Sequence, residues 1–309
     1  MAVDFGSTAP TAESSATVKK ADAASPATVD SFMLPDLVSH CTFPLAYHDN
    51  GDAVASQSVR WLDQNCPMLN EKRRKALYGL QAGELTAFCY NNTTDERLRV
   101  VSDFMNYLFH LDNISDGMMT SDTDVLADSV MNALWFPAAY KATHASGKKQ
   151  PEEEINAGKL AREYALDIDL PEEVASSPAI SALNEYTNDL VTWSNDIFSY
   201  NVEQARGDTH NMIVILMVHY GHTLQSAMDF VGEKCRNCID NFNATRENLP
   251  SWGPEVDDMV QRYVKGLQDW IVGSLHWSFQ TTRYFGSEGQ AVKNTRYVKL
   301  LPVREEAKW

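Results

Sequence analysis

Asn195, Ser199 and Glu203 stand four residues apart, twice, in the stretch WSNDIFSYNVEQARGDTHN over 193–211. On an α-helix that spacing lines an amide, a hydroxyl and a carboxylate along one face over about two turns. Each side chain offers an oxygen. Three oxygens in such a row can hold one Mg2+, a hard cation that prefers oxygen, and leave positions for water and phosphate. The same row could be a polar stripe facing solvent. Trp193, Ile197, Phe198, Val202 and the MIVILM run that follows make the neighbourhood apolar, which favours the metal.

Two further groups carry chemistry. Asp112 and Asp116 in LDNISD are spaced i and i+4, so they share a helical face. Like charges there repel unless a cation sits between them. The preceding FMNYLFHL is apolar, so the pair ends a buried helix. It is either a second Mg2+ site or a solvated helix terminus. Arg283 and Tyr284, in HWSFQTTRYFG, offer a planar guanidinium and a phenol, both suited to phosphate oxygens. The alternative is a cation beside a helix C-terminus. Taken together, two oxygen rows and a cationic donor at the ends of apolar helices describe a pocket with a polyanion at its mouth and an oily interior.

The elements that must position these groups read as helices. Apolar residues recur at three- and four-residue steps over 58–66, 71–90, 95–117 and 122–144, the last interrupted near Pro137. A short helix follows over 159–170, and long ones over 177–208, 223–249 and 254–286. Strand signals are nearly absent and no internal repeat is visible. The predicted class is all-α. The predicted organisation is a disordered tail over 1–31, one helical domain over 32–300 and a short C-terminal tail over 301–309.

Composition narrows the function. The 309 residues are 44% hydrophobic, enough for a large core, and carry a formal net charge of −16. A nucleic-acid surface is therefore disfavoured, whereas an anionic small molecule can bind where metal cations bridge it. No apolar run reaches the about 20 residues that a membrane span needs. Five cysteines, odd in number and irregular in spacing, with no secretory leader, predict a reducing compartment and a cytoplasmic protein. The lone CxxC at Cys235 and Cys238 reads as two small helix residues before it reads as a metal or redox site.

DNISD resembles the aspartate-rich metal motif of class I terpene synthases. NDIFSYNVE is similar to their Asn/Ser/Glu motif and RYFG to their C-terminal Arg-Tyr pair, in the same order along the chain. The wider text, including LPDLVSHC and DFMNYLFHLDNISD, is similar to fungal, especially basidiomycete, sesquiterpene synthases from about residue 32 to 300. The resemblance implies a helical bundle around a central apolar pocket. It implies Mg2+-dependent ionisation and cyclisation of a linear isoprenoid diphosphate, farnesyl diphosphate, to a sesquiterpene of secondary metabolism with release of diphosphate. Three Mg2+ ions are implied with diphosphate bound.

The resemblance also assigns roles. Asp112 is the principal ligand of one metal cluster, with Asp116 secondary; Asn195, Ser199 and Glu203 hold the other metal. Arg283 and Tyr284 donate to the diphosphate, and Arg206, one turn beyond Glu203, is a further contact. Phe198 and Phe279 either line the pocket or belong to the core. The oligomeric state is left open, a homodimer included.

Two departures from the family stand out. Position 113 is Asn where many relatives carry an acid, and amide oxygen still serves. The stretch from Asp116 to Asn195 is shorter than the family implies. Relatives place helices there that wall the pocket and carry a basic diphosphate sensor. Between 117 and 194 this chain has one arginine, Arg162, in KLAREYALDIDL. The expectation is a missing internal block, with both metal motifs retained and catalysis impaired or less faithful. Two rival readings follow: a helical synthase-derived protein that binds metal, diphosphate or a partner without turnover, and a chain-elongating prenyltransferase. The Asn/Ser/Glu type of the second motif disfavours the latter.

Overall fold

The computed structural model describes residues 30–65, 70–115 and 170–303. The fold is all-α, with one small exception at its ends. The elements are β1 (Ser31–Met33), α1 (Leu37–His40), α2 (Gly51–Asn65), α3 (Glu71–Leu80), α4 (Ala82–Cys89) and α5 (Asp95–Ser115). They continue with α6 (Glu172–Ala175), α7 (Pro178–Arg206), α8 (Met212–Tyr220), α9 (Leu224–Glu247), α10 (Pro254–Trp277), α11 (Thr282–Phe285), α12 (Gly289–Thr295) and β2 (Tyr297–Lys299). No described helix is long and apolar enough to cross a membrane. The helices expected over 122–144 and within 159–169 lie outside the described residues.

Helix α7 is the central strut, and its ends are written into the sequence. The Ser177 hydroxyl caps the start by accepting from Ile180 N, and Pro178 occupies the first turn, where its missing N–H is no loss. Gly207 closes the other end at φ 81°, a left-handed conformation that suits glycine. Leu183, Leu190 and Ile197, each 0% exposed, form the stripe that α7 buries. It packs against α9, which presents Met228, Val231, Cys235 and Phe242, and against α10, which presents Leu267, Ile271 and Leu275.

Several elements differ from those expected, the helix predicted over 58–66 among them, which starts already at Gly51. The predicted helix over 71–90 is two helices, broken at Gln81, which sits in the left-handed region at φ 56°. The break serves α10: Trp277 Nε1 donates to the Gln81 carbonyl at 2.8 Å. The predicted helix over 254–286 stops at Trp277, and Thr281 then caps the separate short helix α11. Strands were not expected, yet β1 and β2 pair antiparallel with Phe32 opposite Val298. Three residues are too few to show a period of two. The Asn201 side chain secures the end of β2 on α7, donating to Lys299 O at 2.9 Å and accepting from Leu301 N at 2.8 Å.

Cys235 and Cys238 lie buried on α9 with burial raising both thiols, Cys238 to about 11. They are small core residues of that helix. On the opposite side, α4 is wedged between α2, α5 and α10. A Cβ at Gly83 would lie 2.5 Å from the Ala55 Cα, so only glycine permits the α2–α4 approach. Helix propensity alone predicts that Gly83→Ala gains about 1 kcal/mol. The close approach predicts instead a loss of about 1–3 kcal/mol from overpacking, read from urea unfolding. A net gain would contradict the packing of α2 on α4.

Candidate functional site

The short helix α11 stands between α5 and α7 and touches both. From it, Arg283 Nη2 donates to Asp112 Oδ2 on α5 at 2.9 Å. The next residue, Tyr284, accepts at its hydroxyl from Asn195 Nδ2 on α7 at 2.8 Å. A continuous run Asp112–Arg283–Tyr284–Asn195 therefore joins the carboxylate end of α5 to the amide, hydroxyl and carboxylate row of α7.

Each link has its own environment. Tyr284 is 4% exposed, and burial pushes its phenol up to about 12 against the opposing pull of Arg283 and Asn195. It stays protonated at any ordinary pH, so its O–H remains a donor while its oxygen accepts from Asn195. The Asp112 and Arg283 side chains are 50% and 26% exposed. Their ion pair is solvent-screened and worth about 0–1 kcal/mol, so a competing cation or anion can part it. The guanidinium also sits 5.4 Å from the centre of the Phe109 ring, and Phe109 packs beside Trp277.

On α7, Ser199 is buried and Asn195 and Glu203 are half-buried. Tyr284 engages the nitrogen of Asn195, which leaves its Oδ1 as the atom of ligand character. Among the described residues there is no group of three or more His, Cys, Asp or Glu that could hold a metal. The mixed row of amide, hydroxyl and carboxylate oxygens is a donor set that fits a hard divalent cation and not a soft one. Arg206 lies exposed in the last turn of α7. With Arg283, Tyr284 and Lys299 it lines a groove of about 660 Å³, whose lining therefore carries three cationic side chains.

Asp116 and Arg162 lie outside the described residues. Phe198 and Phe279 are 1% and 7% exposed and pack on each other with ring centres 5.2 Å apart. Phe279 stacks on Phe285 at 5.6 Å. Of the two readings left open for this pair, their burial matches the core: they form the floor beneath Tyr284. Two residues escape sequence reasoning. Asn211, the cap of α8, donates from Nδ2 to Glu203 Oε2 at 2.9 Å. Asp196 accepts from Met212 N at 2.9 Å. The signal for Asn211 was present, an Asn directly before an apolar run, but it marked a helix start and not a contact eight residues back.

Known proteins resemble this chain in sequence and in fold. Residues 160–241 match the family model described as terpene synthase family 2, C-terminal metal binding, a span that contains Asn195, Ser199 and Glu203. Sesquiterpene synthase Agr3 of Cyclocybe aegerita is 56% identical, with 90% of this chain and 96% of that protein covered. Alpha-muurolene synthase of Coprinopsis cinerea is 57% identical, covering 88% of this chain and 78% of that protein. The match to Agr3 extends over 344 residues, more than the 309 of this chain, so the relative carries residues within it that have no counterpart here. Germacradien-4-ol synthase from Streptomyces citricolor shares the fold at a TM-score of 0.63 and 18% identity, with 77% of this chain and 96% of that one covered. Linalool/nerolidol synthase from Streptomyces clavuligerus does so at 0.61 and 18%, covering 76% and 98%. With motifs, metal-binding segment, fold and fungal relatives in agreement, the chain belongs to the class I terpene synthases, among the fungal sesquiterpene synthases.

Proposed function

We propose that this protein ionises and cyclises a linear isoprenoid diphosphate, farnesyl diphosphate, to a sesquiterpene and releases diphosphate, in the cytoplasm and with Mg2+ as the metal. The observation that supports this reading is the run from Asp112 through Arg283 and Tyr284 to Asn195, which links the end of α5 to the polar row of α7. The names of the fungal relatives supply the product class, a sesquiterpene.

In this reading Asn195, Ser199 and Glu203 hold one Mg2+, and Asp112, with Asp116 in a secondary part, holds the ions on the facing side, three in all. Bound there, Mg2+ supplies Lewis-acid stabilisation of the departing diphosphate. The protein does the rest. Arg283 leaves the Asp112 carboxylate and turns its planar donors to the diphosphate oxygens. Tyr284 donates its phenolic proton to the same group while Asn195 keeps its oxygen fixed. Arg206 extends the cationic rim and draws the substrate headgroup in. The buried rings behind Tyr284 keep water from the apolar tail, which matters because water quenches an allylic cation.

Purified protein given farnesyl diphosphate and Mg2+ is expected to yield a hydrocarbon detectable by gas chromatography, and none with EDTA. Geranyl and geranylgeranyl diphosphates run alongside define chain length. Mg2+ uptake that depends on diphosphate but gives no product would instead favour the non-catalytic binder.

Asp112→Ala and Glu203→Ala are each expected to lower kcat/KM about 100-fold or more, with unfolding midpoints near that of the parent. Retained activity in either would remove that residue from the metal site. Arg283→Lys keeps the charge but loses the fork, and is expected to lower kcat by about 10²–10³-fold. A kcat equal to the parent's would show that a point charge suffices.

A further inference from the structure

Asn211 stands outside both metal motifs, yet its side chain reaches the second of them. It is 1% exposed and caps α8, with Oδ1 accepting from Ile213 N at 2.8 Å. Because the cap fixes the oxygen, the amide nitrogen can point only one way, back at α7. There Nδ2 donates to the Asp196 carbonyl at 2.8 Å and to Glu203 Oε2 at 2.9 Å, with Ser199 Oγ at 3.5 Å. A primary amide has two N–H donors, and the two short contacts use both. Asp196 Oδ2 returns the tie by accepting from Met212 N at 2.9 Å.

We propose that Asn211 is a positioning residue: it presents the Glu203 carboxylate to the metal and couples metal uptake to the first turn of α8. The proposal rests on the reading of Asn195, Ser199 and Glu203 as metal ligands. Its logic is chemical. A glutamate side chain has rotatable bonds that must be frozen when it binds a metal. Asn211 freezes them beforehand by holding one carboxylate oxygen and leaving the other to coordinate. A neutral N–H donor does this without cancelling the carboxylate charge, as a lysine or arginine at the same place would. The partner held this way is an outer-shell group that orients a ligand, the role by which such residues commonly set metal affinity. The coupling follows from the two-sided use of the amide: whatever steadies Glu203 steadies Nδ2, and with it the Oδ1 that caps α8.

The test separates this from a structural role. Asn211→Ser keeps a competent helix cap but its hydroxyl is too short to reach Glu203. Mg2+ is titrated calorimetrically into protein with inorganic diphosphate, alongside thermal unfolding of metal-free protein and steady-state kinetics with farnesyl diphosphate. Expected are a Mg2+ affinity lowered about 10–100-fold, a metal-free melting temperature close to the parent's, and a kcat that recovers as Mg2+ is raised to saturation. Unchanged Mg2+ affinity, or a loss matched by an equal loss of metal-free stability, overturns the proposal.

Should the variant fail to fold, amide hydrogen exchange on the unaltered protein decides. Mg2+ with diphosphate is expected to slow exchange at 212–215 and not in α12, and no slowing at 212–215 overturns the coupling. If the unaltered protein takes up no Mg2+ with diphosphate, the metal-site reading falls and this one with it. If it does and Asn211→Ser matches it, only this proposal falls.

Discussion

Two helices distant in sequence, α5 and α7, are tied together through the short helix α11, and the geometry of the candidate site depends on that tie. The residues of this short helix reach α5 through Arg283 and α7 through Tyr284. The two contacts differ in strength for a physical reason. Tyr284 is buried, so an unpaired hydroxyl there would cost about 1–3 kcal/mol, and its bond with Asn195 persists. The Asp112–Arg283 pair is half in water and worth about 1 kcal/mol or less. The tie thus has a firm side at Tyr284 and a weak side at Arg283.

The same division explains why the fold is built as it is around α7. That helix buries Leu183, Leu190 and Ile197 on one side and offers Asn195, Ser199 and Glu203 near the other. The buried stripe fixes its rotation, and the rotation fixes where the three oxygens point. The Phe198, Phe279 and Phe285 rings fill the space between that stripe and Tyr284, so the tyrosine cannot sink or tilt. Packing energy far from the cleft is in this sense what holds the donor geometry inside it.

Much of this was legible in the sequence because its signals are local. Ser177-Pro178 and Gly207 announce the ends of α7, and the four-residue spacing of Asn195, Ser199 and Glu203 announces a shared face. The contents of the cleft were legible through motif resemblance more than through periodicity. What stayed hidden is what depends on contacts between distant segments. The break at Gln81 has meaning only once Trp277 donates to its carbonyl. The strand pair at the two ends is too short to show alternation and exists because Phe32 and Val298 meet. No helix was expected over 212–220, and the sequence does not reveal that α8 folds back until the Asn211 amide meets Glu203.

The central claim is that both oxygen rows serve one metal–diphosphate cluster. Anomalous diffraction from crystals soaked in Mn2+, a stand-in for Mg2+, together with inorganic diphosphate tests it most directly. The account predicts Mn2+ peaks about 2.0–2.3 Å from the Asn195, Ser199 and Glu203 oxygens. It also predicts a further peak at Asp112, with one diphosphate touching both groups of ions and Arg283 turned onto it. Metal bound at only one row, or diphosphate bound away from the cleft between α5 and α7, would contradict it.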